Sequence, residues 1–513
     1  MLPRRSTRVT SSAATTAQKA ADTEKAAAPK KDQAASGSAV KELEAKLQAA
    51  QLGSDEKPKP KKQKEYLNPL PSPPQSVRPA PLLYVWGAGN AGQFGMGVEV
   101  LDELQRPQRN KLVEKMADDG KFGAKGAGLQ TVAAGGMSSL FIDEQGTIWS
   151  CGANDNAALG RDTSDIPDPE NEGAFLDIDA LSSVPYPIQS LVDEGFRAVR
   201  AAAGDSIAAA ISIEGEMKVW GTFRAMEGLL GFSGNQKHQY LPVPVLTLKS
   251  KPGDVEKFVD VAAGNDHVVV LTTHGNVYTW GVGERGQLGR KVLERHKITA
   301  TTPERILLGK RTNMAVAVGA GSYASFAVDT AGDVWGWGAN STGQTGTGFV
   351  DGNTDREIHM PRRVAGLSAE ELGDGEQVVQ IAGGDDHTLF LTSEGRVYSC
   401  GLSIGGQLGL ADDDDAFEDR TFPDFLDKPA LVTFPDEDDH IIQISAGPRT
   451  SMAISRDGVL YMWGEGSQSE LGAGPTEMLK VPTVLVRKEG SYAAVMGSCG
   501  GQHALALLKQ RQK

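Results

Sequence analysis

A chain of 513 residues could hold several domains, but 61 glycines and a 39% apolar fraction suit an all-β protein with many turns. The formal charge of −14 argues against a uniformly basic nucleic-acid binder; no apolar run approaches a membrane span, and the N-terminus lacks the apolar core of a secretory signal. With only 3 cysteines, none at zinc-like spacing, and 8 histidines, neither a disulfide framework nor a metal or cofactor site is indicated, and a reducing compartment is expected.

Residues 1 to 80 are rich in Ala, Lys, Pro and Ser and bury too little apolar surface to order themselves, so they read as a disordered basic tail. The tail carries fifteen Lys and Arg against eight Asp and Glu, a net of +7, which leaves an acidic body at −21. Its cluster from Lys57 to Lys64, with Lys61 and Lys62 at its centre, fits a nuclear import signal or a contact to a phosphate backbone. A solvated linker is the plainer reading of the same residues.

After the proline-rich entry from Pro69 to Pro81 comes LLYVWGAGNAGQFGMG, which looks like half of a unit. The whole unit is clearest at Val259 to Gly289, VDVAAGNDHVVVLTTHGNVYTWGVGERGQLG. Two alternating runs, through Val268 to Leu271 and Val277 to Trp280, flank a His274-Gly275-Asn276 turn and read as a β-hairpin. Six full copies begin near Thr131, Val199, Val259, Val316, Val379 and Gln443, and GSCGGQHALALL from Gly497 supplies the half missing at the start. The loop glycines Gly135, Gly204, Gly264, Gly321, Gly384, Gly447 and Gly500 are spaced by 69, 60, 57, 63, 63 and 53 residues, a blade-sized period. The fold expected is a seven-bladed β-propeller over residues 81 to 508, closed by pairing of N- and C-terminal strands, with 509 to 513 as a short tail.

All 7 tryptophans fall in or beside the last strand of a repeat, which favours packing between blades over a ligand cage. Gly87-Ala88-Gly89-Asn90-Ala91-Gly92 matches the GxGxxG spacing, but it recurs at Gly281 to Gly286 with no helix following, so it reads as a structural turn. The loops after the repeat glycines gather at one end of a propeller channel and bring Asp205, Asn265, Asp266, His267, Asp385, Asp386, His387, Arg449, Gln502 and His503 together. Asp205 and Asp266 differ in position within their loops, which favours contact over folding. The three histidines fit either contact or hydrogen bonds to backbone within their own blade. Acidic insertions at Asp162 to Asp179, Asp412 to Asp415 and Asp436 to Asp439 are solvated loops or a field that steers a basic partner to one face. No HExxH or complete Walker loop is present, so covalent chemistry is not expected.

The repeat GNDHVVVLTTHGNVYTWGVGERGQLGR resembles the regulator of chromosome condensation family over residues 82 to 508, most sharply at CGANDNAALGRDTSD, AAGDSIAAAISIEGEMKVWGTFR and AAGNDHVVVLT. The resemblance implies a guanine-nucleotide exchange factor for the nuclear GTPase Ran, not an enzyme of covalent chemistry. It would act by binding the nucleotide-free state better than the loaded one. It further implies that Asp205, Asp266, His387, His503, Arg290 and Arg224 contact Ran. A wedge near Thr222 to Gly231, through Thr222, Phe223, Arg224, Ala225, Met226, Glu227 and Gly228, would disturb the nucleotide site. The family pattern is departed from at Ala225-Met226-Glu227 and at Asn90. A loop from Arg290 to Arg311 would dock on the histone acidic patch, with Arg295, Lys297 and Arg305 as candidates, while the tail with Lys61 and Lys62 touches DNA and meets an import receptor. The implied place is the nucleus, on chromatin, with a cytoplasmic share left open and no membrane partner. The alternative is a non-catalytic propeller scaffold for protein–protein interaction.

Overall fold

The computed structural model describes residues 65–168, 171–349, 355–418 and 420–511. Their strands form seven four-stranded antiparallel sheets and one separate small hairpin. From the channel outward, the first blade is Leu129–Ala134, Ser138–Asp143, Ile148–Gly152 and Tyr186–Pro187. The second is Ala198–Ala203, Ile207–Ser212, Met217–Gly221 and Gln239–Val243, and the third Phe258–Ala263, His267–Thr272, Val277–Gly281 and Glu304–Ile306. The fourth, fifth and sixth repeat this order from Ala315–Ala320, Val378–Gly383 and Ile441–Ala446. The seventh takes Tyr492–Cys499 and His503–Gln510 from one end of the chain and Leu82–Gly87 and Leu104–Arg109 from the other. Its register runs from Leu82 opposite Leu508 to Gly87 opposite His503. The innermost strands neighbour one another in order, and Tyr492–Cys499 meets Leu129–Ala134, so the ring closes.

The second strand of a blade is covered on both sides by adjacent blades, which is why HVVVLT is a continuous buried run rather than an alternating one. The core lies between blades: Val268, Val270 and Trp280 of the third pack with Ile207, Ala209 and Val219 of the second. Tryptophans at the ends of the third strands lock these seams. Trp220, Trp337, Trp463 and Trp86 are fully buried, and each Nε1 donates to a carbonyl of the preceding blade, at Ala158, Gln287, Gln407 and Glu470. Burying such a ring is worth about 2–3 kcal/mol, and the hydrogen bond keeps its one polar atom from opposing that gain. The packing role read from the tryptophan spacing is met. Trp149 and Trp335 instead donate to Asp143 and Asp329 of their own blades.

Residues 65 to 80, assigned to the tail by composition, run across the turns between second and third strands. Asn68 is buried; its N–H donates to Thr273 O and its Nδ2 to Thr272 O and Ala315 O, tying the third blade to the fourth. Ser76 and Arg78 bind Glu144 of the first blade. One buried amide and one ion pair leave no trace in a composition, so the sequence boundary falls too late. The basic clusters of residues 1–64, with Lys61 and Lys62, lie outside the described residues. Among the described residues no helix is long and apolar enough to cross a membrane.

Candidate functional site

The loops joining first to second strands converge from all seven blades on one end of the channel, around a cavity of about 160 Å³. They are tied by a ring of backbone bonds: Gly501 N to Gly135 O, Gly136 N to Gly204 O, Asp205 N to Asn265 O, Asn265 N to Ser322 O, Ser322 N to Gly384 O and Asp385 N to Pro448 O. The equivalent donor of the sixth blade is Pro448, which has no N–H, so that position adds no bond. Closeness explains the repeat glycines. A Cβ on Gly264 would sit 2.1 Å from His267 Cε1, and one on Gly136 would sit 2.0 Å from Asp205 Oδ1. Asp205 is exposed at this rim.

The histidines differ from both readings open in the sequence. His267, His387 and His503 are at most 1% exposed, and each Nε2 meets a serine of the next blade: Ser325 at 2.8 Å, Ser451 at 2.9 Å and Ser139 at 2.8 Å. Each serine hydroxyl donates onward, to Gln287 O, Gln407 O and Gln93 O, so its lone pair receives the Nε2 proton. Burial lowers the imidazole pKa values to about 4 for His267 and His387 and about 3 for His503, which keeps them neutral. They are staples between blades. As direct surface contacts His387 and His503 are corrected by their burial. The signal was present: blades that follow a histidine carry serine one position later, whereas Ala208, Val268 and Ala504 stand there after Ser138, Ile207 and Thr450.

Within the stretch Thr222 to Gly231, Arg224–Ala225 pairs with Gly228–Leu229 as a small hairpin of the second blade. Its base is fixed: Thr222 is buried with Oγ1 on Lys237 O, and buried Phe223 stacks on Phe232. Its tip stands clear, with Met226 75% exposed and Leu229 43%. Gly228 has φ +125° with nothing near a Cβ, so the turn needs glycine for conformation rather than for space. Asp266 Oδ1 accepts from Arg224 N at 2.7 Å. Burial first, then the charges of Asp205 and Glu284, outweigh that bond and raise the Asp266 carboxyl to about 7. The face therefore holds an acid close to neutrality beside an exposed apolar tip.

Arg290 is corrected as a free contact. Nη1 pairs with Glu304 at 3.1 Å and Nη2 donates to Ala300 O and Thr302 O, so it braces the loop that follows it. Arg161, at the same repeat position, does likewise toward Ser150 O and Leu181 O. The other loop candidates are not brought together. Arg295 is exposed. Lys297 binds Glu227 on the hairpin, and Arg305 lies on the outer strand, lining a cavity with Tyr66 and His274 toward the opposite end of the blade. The acidic runs also separate: those after Asp162 and Asp412 join third to fourth strands, whereas Asp436 to Asp439 joins two blades at the other end, against Lys488 and Tyr461. Among the described residues no His, Cys, Asp and Glu cluster is arranged to hold a metal.

A family model described as RCC1-like domain matches residues 82–506. The chain belongs to the RCC1-like domain family. This RCC1-like propeller is 33% identical to Protein pim1 of Schizosaccharomyces pombe over 431 residues, 82% of this chain and 74% of that protein. It is 31% identical to the guanine nucleotide exchange factor SRM1 of Saccharomyces cerevisiae over 450 residues, 84% of this chain and 88% of that protein. The crystal structure of Prp20p from Saccharomyces cerevisiae, described with its binding to Gsp1p and histones, superposes with a TM-score of 0.71 at 29% identity, covering 85% of this chain and 94% of that one. The same yeast RCC1 bound to Kap60 gives 0.73 at 28% identity, covering 90% and 96%.

Proposed function

We propose that this RCC1-like propeller is a guanine-nucleotide exchange factor for the small GTPase Ran. The observation that carries the reading is the exposed hairpin of the second blade, standing beside Asp205 and Asp266 on the loop face. A relative named as a guanine nucleotide exchange factor and a solved relative described with its binding to Gsp1p support it. The hairpin enters the nucleotide site while the acidic rim holds the GTPase. The propeller stabilises the nucleotide-free state, and the difference in affinity for the two states lowers the barrier to release without breaking a bond in the nucleotide. Arg224, at the foot of the hairpin, is exposed and available to the GTPase, whereas His387, His503 and Arg290 act by positioning.

The finer reading places the protein on chromatin in the nucleus. Arg295 on the loop after Arg290 meets a histone acidic surface, and the tail with Lys61 and Lys62 meets DNA and an import receptor. Arginine suits carboxylate recognition because its fork matches two oxygens.

The deciding experiment is release of fluorescent GDP from Ran, with wild type beside Asp205→Ala checked for folding. Acceleration by the wild type, reduced about tenfold or more in the variant, is the expected result. No acceleration with active Ran and a working control overturns the reading and leaves a scaffold, which would also show no preference for nucleotide-free Ran.

A further inference from the structure

The hairpin is too short to hold its own angle. Two residues per strand make few ladder bonds, and a hairpin of that size is marginal in water. Its free edge should need a partner. The N–H groups of Arg224, in the first strand, and Met226, in the turn that follows it, both bond outside the hairpin. In place of a neighbouring strand, two carboxylates of the third blade accept them: Asp266 Oδ1 from Arg224 at 2.7 Å and Glu284 Oε2 from Met226 at 2.9 Å. A third group closes the arrangement. Lys297 Nζ lies 2.8 Å from Glu227 Oε2 at the tip and 3.7 Å from Glu284 Oε1, so one ammonium joins the tip to its support. Behind it is a cavity of about 160 Å³ lined by Ala225, Leu230, Val282, Val292 and His359.

We propose that Asp266, Glu284 and Lys297 form a clamp that sets the angle of the hairpin, making Glu284 and Lys297 positioning residues for nucleotide release. The functional half of this inference rests on the exchange reading; the clamp itself does not. An unclamped hairpin is in the productive pose only part of the time. The turnover rate then falls by that fraction, while the encounter with the GTPase, made through the rim, is unchanged.

The test uses the full-length protein with Lys297→Met, Glu284→Ala and the charge-keeping Lys297→Arg. Hydrogen–deuterium exchange of peptides over residues 222–231 is measured without Ran, and nucleotide release with it. In Lys297→Met and Glu284→Ala these peptides are expected to exchange about tenfold faster, with third-blade strand peptides unchanged, and kcat to fall about tenfold at a KM within about twofold of wild type. Lys297→Arg should keep both properties. Unchanged protection in both disruptive variants overturns the clamp. A raised KM at unchanged kcat also overturns the positioning role, because it marks the residues as contacts. A wild type that releases no nucleotide overturns the functional half and sinks the exchange reading, and the amide measurement on the free protein then decides the clamp by itself.

Discussion

Asp266 and the three staple histidines pull the pH dependence of stability in opposite directions. The histidines are neutral in the fold down to about 4, or about 3 for His503, while in the unfolded chain they take a proton below about 6.5. As pH falls from 6.5 toward 4 the unfolded state binds the extra protons, so their stabilisation is full above 6.5 and is lost on acidification. Asp266 holds its proton to about 7 in the fold, whereas an unfolded aspartate releases it near 3.9. Its cost to stability therefore grows as pH rises from about 4 to 7 and is complete above that. Asp266→Asn keeps an acceptor for Arg224 N and should stabilise the protein at pH 8 by about 1–3 kcal/mol, with little gain at pH 4. His503→Gln should flatten the acid limb between 6.5 and 4. Denaturant unfolding at several pH values checks both, and opposite slopes in the two variants are the outcome that matters.

At the scale of the element, the hairpin is a graft on a blade that is complete without it. Phe223 and Phe232 bury its root against Trp280 and Val282, Ala225 and Leu230 pack on the same cluster, and the tip from Met226 to Gly228 stands outside it. Replacing residues 226–228 with Gly-Gly should thus leave the thermal midpoint nearly unchanged. Exchange on Ran should drop about a hundredfold if insertion of the tip is what displaces the nucleotide. A truncated variant that keeps near wild-type release would locate the activity on the rim instead. The serine that receives each imidazole and the glycine that admits it make a second kind of element, one shared between two blades.

For the molecule as a whole, closure decides stability. Leu505, Leu507 and Leu508 lie in the buried part of the strand between Leu82–Gly87 and Tyr492–Cys499, and each contributes about 1.5–3 kcal/mol. Deleting residues 503–513 opens two strand edges and the seam between the seventh and first blades. The expected result is a chain without a single cooperative unfolding transition in calorimetry; retention of a wild-type transition would mean that the ring tolerates a gap. Residues 65 to 80 cross the turns of three blades at the end away from the channel rim loops, which ties blades together at that end too.

By itself the sequence determined the number of blades and the closing pair of half units. Those properties depend on local turn chemistry and a blade-sized period, which recur along the chain and can be compared copy by copy. It also marked the buried tryptophans, because all of them fall in the third strand of a blade. Fourth strands escaped it: Tyr186–Pro187 and Glu304–Ile306 are short and half solvated, so they carry no clear alternation. The roles of individual polar residues escaped it too. His267 and His387 find their serines 58 and 64 residues away and His503 finds Ser139 364 away, while Met226 finds Glu284 at a distance of 58. Whether an acid meets a partner protein or holds a hairpin is settled by what the next blade places beside it, and only the tertiary structure brings the blades side by side.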